Sequence, residues 1–186
     1  MNIQLPTHMD KPAFLAWLDR VEERHELVGG RVVMMARPAR GHAIVVVNLV
    51  SLLRAQLDPH RWTVLTEFGL EAGPQTLRFP DIVVDRADGA PGDLTAIAPV
   101  LAAEALSPST AAIDLGDKAA EYLQLPSLAA YLVFAQDEPK AWAWIRRRED
   151  FPPGPDVIAG ADKTIRIASL GLDLRLGEIY AGLTTS

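Results

Sequence analysis

The chain has 186 residues, no cysteine, and 24 acidic side chains against 18 Lys and Arg, a formal net charge of −6. The length suits one domain, residues 1–186, with a real hydrophobic core, and the absence of thiols excludes disulfides, thiolate metal centres and cysteine nucleophiles. No apolar run reaches the roughly eighteen residues of a membrane helix, and the first ten residues lack the layout of a secretory signal, so a cytoplasmic location without a membrane partner is expected. An acidic chain can hold nucleic acid only where its few arginines cluster.

Thr7 or Asp10 can cap a first helix with Pro12 in its opening turn, and Phe14, Leu15, Leu18 and Val21 recur at helical spacing on its inward side. Gly29-Gly30 separates two short β-type runs, the pattern of a tight hairpin. A long, mostly buried helix is expected from about His42 to Leu57, with Ile44, Val47, Leu49, Val50 and Leu53 facing inward. Trp62 to Leu70 and Phe79 to Val84 read as strands, Asp85 to Pro99 as a Gly/Pro/Asp-rich loop, and Val100 to Leu106 as another strand. Ser107 to Thr110 stops that strand, and a short helix follows with Lys118 in its first turns. Ala130 to Ala135 and Ala141 to Arg146 are adjacent strands, Phe151 to Asp162 is surface loop, and Thr164 to Ala168 is an edge strand that Leu172 to Leu176 extends. The order implies a mixed sheet flanked by helices, an α/β or α+β domain.

Two of the apolar strands each carry a carboxylate, Asp81 and Glu104. Buried charges must pair, protonate or bind a cation. If the two strands lie side by side, both acids fall near one edge of the sheet, and carboxylate oxygens suit Mg²⁺ or Mn²⁺. A cation there would lower the pKa of a bound water and neutralise charge on a phosphate. Lys118 could hold the attacking water, with Tyr122 on the same helical side; each of these groups alone has a purely structural explanation as well. His42, at a helix start near Arg37 and Arg40, could bind a phosphate or carry a proton. Arg146 to Arg148 form a charge run at a strand end, and Trp142 and Trp144 alternate along one strand.

The segments H-E-L-V-G-G-R-V-V-M-M, F-P-D-I-V-V, A-E-A-L-S-P-S-T and D-K-A-A-E-Y resemble the Uma-type restriction endonucleases, a domain family assigned to the PD-(D/E)XK nuclease superfamily. The similarity runs from about Phe14 to Tyr180. It implies a restriction-endonuclease-like fold, a metal-dependent endonuclease acting on DNA, Asp81 and Glu104 as metal ligands, and Glu26 as a further site carboxylate. It also favours a homodimer that cuts two strands. The superfamily lysine expected two residues after the second acid is Leu106 here, and Lys118 looks like its displaced substitute. Two readings from other classes stay open: a catalytically inert scaffold or oligomerisation module, and a hydrolase of RNA or small phosphate esters.

Overall fold

The computed structural model describes residues 8–106 and 113–183; the expected strand stop at Ser107 to Thr110 and the alternative cap Thr7 lie outside them. Helix α1 (Lys11–Leu18) starts at Asp10, whose Oδ1 accepts the Ala13 N–H at 2.8 Å. It buries Phe14 and Trp17, while Val21 falls beyond its end. Strands β1 (His25–Val28) and β2 (Arg31–Met34) form the expected hairpin. Gly29 and Gly30 turn it at φ +55° and +81°, a left-handed pair that glycine adopts without strain and that matches the strand twist.

Helix α2 (Arg40–Gln56) buries Val45, Leu49 and Leu53, four residues apart on one stripe. The expected inward stripe included Val47, which is instead 63% exposed; so many residues of this helix are apolar that pattern alone leaves its rotation open.

Strand β3 (Trp62–Thr66) ends where Glu67 takes φ +53°, so the stretch to Leu70 is not one strand. The chain leaves for a second sheet, making β4 (Leu70–Gly73) and β5 (Thr76–Arg78), which line up as β2-β1-β5-β4. It returns as β6 (Ile82–Arg86), beside β3 with Thr66 opposite Ile82. The strand expected from Phe79 therefore begins only at Ile82, because Pro80 has no N–H for a ladder and occupies the passage between sheets.

Next come β7 (Leu101–Ala105), a π-helical turn (Ile113–Asp117), α3 (Lys118–Tyr122), β8 (Ala130–Phe134) and β9 (Lys140–Ile145). The remainder is β10 (Asp156–Ala159), β11 (Thr164–Ile167), β12 (Leu172–Arg175) and α4 (Leu176–Ile179). The large sheet runs β10-β9-β8-β7-β6-β3 and is mixed, with β7 and β8 parallel and α3 on the crossover between them. Two expectations are corrected here. The Pro- and Gly-rich stretch Phe151 to Asp162 contains β10, an edge strand paired with β9, which its turn residues concealed. The segment from Thr164 pairs with β12 as a separate two-stranded ribbon rather than extending the sheet.

One face of the large sheet packs Ile82, Val84, Leu101, Leu132 and Phe134 against α2, the β11–β12 ribbon and α4. The other packs Val83, Ala102, Leu106, Tyr131 and Trp144 against Ala119 and Tyr122 of α3. Each large side chain so enclosed contributes about 1.5–3 kcal/mol. A third cluster, Phe14, Trp17, Leu27 and Leu77, ties α1 to the small sheet. No described helix is long and apolar enough to cross a membrane.

Candidate active site

Antiparallel pairing of β6 and β7 sets Ile82 opposite Ala103, and continuing that register sets Asp81 across from Glu104. Both strands are interior, so the acids sit at strand ends in the middle of the sheet, not at its edge. Both side chains are buried.

Asp81 is held from two sides. Its Oδ2 accepts the Ala105 N–H at 2.8 Å, and its Oδ1 lies 3.1 Å from His42 Nε2. The other ring nitrogen, Nδ1, is 3.0 Å from the Ala105 carbonyl oxygen. Both nitrogens thus face acceptors, which requires both to carry protons. Burial works against that charge, but Asp81 and the Ala105 carbonyl outweigh it and raise the His42 pKa.

Lys118 is enclosed by three carboxylates: Glu104 Oε1 at 2.8 Å, Asp114 Oδ1 at 3.2 Å and Glu26 Oε1 at 3.6 Å. The π-helical turn before α3 brings Asp114 under Lys118 four residues later. Burial disfavours the ammonium, yet Glu104, Glu26 and Asp114 together raise its pKa. Lys118 therefore stays charged and cannot serve as a general base. The Tyr122 hydroxyl donates to Glu104 Oε1 at 3.4 Å, and burial keeps that phenol protonated.

Glu26 is fixed by Arg78, whose Nη1 donates to its Oε2 at 2.9 Å, and by the Phe79 N–H at 3.2 Å. Arg78 reaches Glu121 with two further bonds of 2.8 Å each, joining the small sheet to α3. Five carboxylates (Glu26, Asp81, Glu104, Asp114 and Glu121) thus surround three cations, Arg78, Lys118 and His42. Glu104 is the most deeply strained of these carboxylates. Its burial, with the charges of Asp81 and Asp114, outweighs Lys118 and pushes its pKa up to about 8.

All of these charged groups except Glu121, together with Arg24, line a cavity of about 110 Å³ whose rim includes Met34 and Arg37. Of the residues singled out from sequence, Asp81, Glu104, Lys118, Glu26 and His42 converge there, and exposed Arg37 stands at the mouth. Arg40 begins α2, is exposed, and does not line the cavity. Arg78, Asp114 and Glu121 also belong to the cluster; from the sequence they count only as pairing partners of the acids and of Lys118. The i, i+4 spacing of Asp114 and Lys118 was the available signal; for the ties of Arg78 to Glu26 and Glu121 there was none. The arginine run is structural in part: Arg146 clamps the carbonyls of Leu125, Leu128 and Glu149 and stacks on Phe151. Trp144 stacks on Tyr131 in the core.

The donor set fits a hard divalent cation. It offers two carboxylates from paired strands in one pocket. Among the described residues no three His, Asp or Glu side chains form a ready-made cage, and both oxygens of Glu26 are committed to other partners. Asp81 is bonded through both oxygens as well, so these bonds do not separate the carboxylates as ligands. Two protein carboxylates, with waters and substrate phosphate filling the rest, is an arrangement Mg²⁺ commonly takes.

A family model described as "Uma2: Putative restriction endonuclease" matches residues 12–161. The chain belongs to that family. An uncharacterized protein of Synechocystis sp. is 27% identical to it over 176 residues, covering 91% of this chain and 90% of the relative. A crystal structure titled as a "putative nuclease belonging to DUF820", from Anabaena variabilis, shares the fold with a TM-score of 0.73 at 18% identity. That likeness covers 91% of the Uma2-family chain and 98% of its counterpart.

Proposed function

We propose that this Uma2-family protein is a single-domain, Mg²⁺- or Mn²⁺-dependent endonuclease that hydrolyses DNA phosphodiester bonds, working in the cytoplasm as a homodimer. The observation that carries the reading is the cross-strand pair Asp81 and Glu104 with the permanently charged Lys118 bonded to Glu104 at 2.8 Å. A cation held by the two acids would supply Lewis-acid polarisation of the phosphate and a more acidic water.

The chain's own groups do the rest. The Lys118 ammonium stands where it can orient the attacking water and offset charge on a non-bridging phosphate oxygen. Asp114 and Glu26 hold that ammonium in place, and Arg78 holds Glu26. His42 fixes the Asp81 carboxylate and the Ala105 carbonyl in one orientation. Arg37 at the rim supplies a positive charge for the incoming strand. Attack by water on phosphorus breaks one phosphorus–oxygen ester bond, and the departing sugar oxygen takes up a proton.

Calorimetric titration of Mg²⁺ and Mn²⁺ into wild type and an Asp81→Ala/Glu104→Ala variant, with and without a short duplex, tests the site. Binding in wild type only, accompanied by plasmid nicking that chelation stops, is expected. Identical heats in both proteins, with duplex present, would end the metal-nuclease reading. The small cavity lends support to a second reading, hydrolysis of RNA or a small phosphate ester, and parallel assays on these substrates separate the two.

A further inference from the structure

In a chain with 24 acidic residues among 186, residues 31–57 contain no Asp or Glu, yet they hold four arginines. Three of these, Arg31, Arg37 and Arg40, are exposed and make no ion pair among the described residues. Elsewhere on the surface Lys11, Arg86, Arg147, Lys163 and Arg166 each pair with a carboxylate. Residues 1–7, 107–112 and 184–186 carry no Asp or Glu side chain either, so they bring nothing to neutralise the three.

The three arginines bracket the mouth of the active-site cavity. Residues 33–38 line it without a break, so Arg31 lies before that stretch, Arg37 within it and Arg40 beyond it. Val33 is paired with Glu26 of the site. Arg31, two residues earlier on the same side of β2, stands about 7 Å further along. On the other flank α2 begins at Arg40 with no side-chain cap and no acid in its first turn, so the positive end of its dipole adds to Arg37 and Arg40. Between the arginines the ledge is apolar. Val33, Met34 and, from the π-helical turn, Ile113 line the mouth, and they are three of the seven exposed large hydrophobic side chains among the described residues.

Unpaired positive charges spaced along an apolar ledge suit a polymer with an anionic backbone and less polar sugars and bases. A small phosphate ester would need the cavity alone. We propose that Arg31, Arg37 and Arg40 form a track that follows the DNA backbone on both flanks of the scissile phosphate, with Val33 and Met34 against the sugars between them; this rests on the nuclease reading above. Arg31 falls about two nucleotides from the cut, at a rise of about 3.4 Å each. The substrate is then a chain of several nucleotides, engaged at an interior phosphate rather than at an end.

Anisotropy titrations of a short fluorescein-labelled duplex, run in chelator over a series of KCl concentrations, test the track. Each neutralised phosphate contributes about 0.9 to the slope of log affinity against log salt. Arg31→Gln, Arg37→Gln and Arg40→Gln should therefore each lower the wild-type slope by about that amount. Arg148→Gln, at an exposed arginine past the end of β9 that lies away from the site, should leave it unchanged. Met34→Glu should weaken duplex binding about tenfold with no change of mass in sedimentation. Circular dichroism checks that each variant is folded. A wild-type slope in folded Arg31→Gln, while the wild type nicks plasmid, overturns the track and leaves the nuclease reading standing. An equal loss of slope in Arg148→Gln overturns it too, since the attraction is then diffuse. A fall from dimer to monomer in Met34→Glu with duplex binding intact assigns the ledge to a second copy and likewise overturns the track. Failure of wild type to bind or cut any DNA removes the track and the nuclease reading together.

Discussion

Replacing Glu104 by Gln takes one charge out of the buried cluster while keeping an oxygen for Lys118 and Tyr122. In the folded protein Glu104 titrates near 8 rather than at its ordinary 4.5, so between these values the native state binds more protons than the unfolded chain. Stability must then fall as pH rises through that window. At about 1.36 kcal/mol per pH unit the ceiling on the loss is about 5 kcal/mol, and relaxation of an open pocket toward water brings the observable part to about 2–3 kcal/mol. Urea unfolding in chelator at pH 5 and pH 8.5 measures it. Wild type should lose that amount relative to Glu104→Gln across the interval, and the variant should be the more stable protein at the upper pH. His42 also loses its stabilising charge as pH rises through its raised pKa, but it does so in both proteins and cancels in the comparison. Equal pH dependence in the two would show that neither burial nor its acidic neighbours strain Glu104.

Lys118→Met removes the cation that Glu26, Glu104 and Asp114 share and should cost about 3–5 kcal/mol in urea unfolding, with at least about a hundredfold loss of nicking rate. Lys118→Arg should not restore the rate, because a planar guanidinium cannot occupy the same point between three carboxylates; recovery of nicking would refute the positioning argument. His42→Gln should lower nicking at pH 6.5 by about tenfold or more, with the remaining activity losing its His-dependent pH limb; an unaltered pH profile would mean that His42 only packs. Gly41→Ala should act on the same residue indirectly. Its added methyl meets the Gln136 carbonyl at the start of α2, displacing His42, so nicking falls although no polar group is lost; wild-type activity would show that the helix start has room to shift.

The acids were legible because a carboxylate inside an apolar strand is anomalous, and Asp81 and Glu104 are each such an anomaly. Lys118 was legible beside the two acids, and the family resemblance strengthened that reading, since a lysine on a short helix is ordinarily solvated. Arg78 was hidden because its meaning depends on contacts 52 residues away at Glu26 and 43 residues away at Glu121, and no local pattern encodes such distances. The sheet exchange at Glu67 was unreadable for a similar reason: Trp62 to Leu70 has strand composition throughout, and only tertiary packing decides that Glu67 bends to positive φ. The hairpin glycines and the Asp10 cap were read correctly from local chemistry alone, which is where their geometry originates.

The Glu26 carboxylate has a consequence for how the molecule breathes. Strand β1 meets β5 in the ladder only at Leu27 and Leu77; its hairpin is further secured by the Gly29 and Gly30 N–H groups on Thr76 and Gln75, by Arg78 and the Phe79 N–H on Glu26, and by the buried Leu27. Weakly laddered units open by themselves before a domain unfolds. When this hairpin swings away, the parting line runs through Glu26, and Asp81 and Glu104 stay on the large sheet with Asp114 and Lys118 packed beside them. The hairpin is thus an upper jaw over a fixed lower one. Its amide hydrogens should exchange sooner than those of β6 and β7, and Arg78 is the latch that sets how often the mouth opens wide enough to admit a strand.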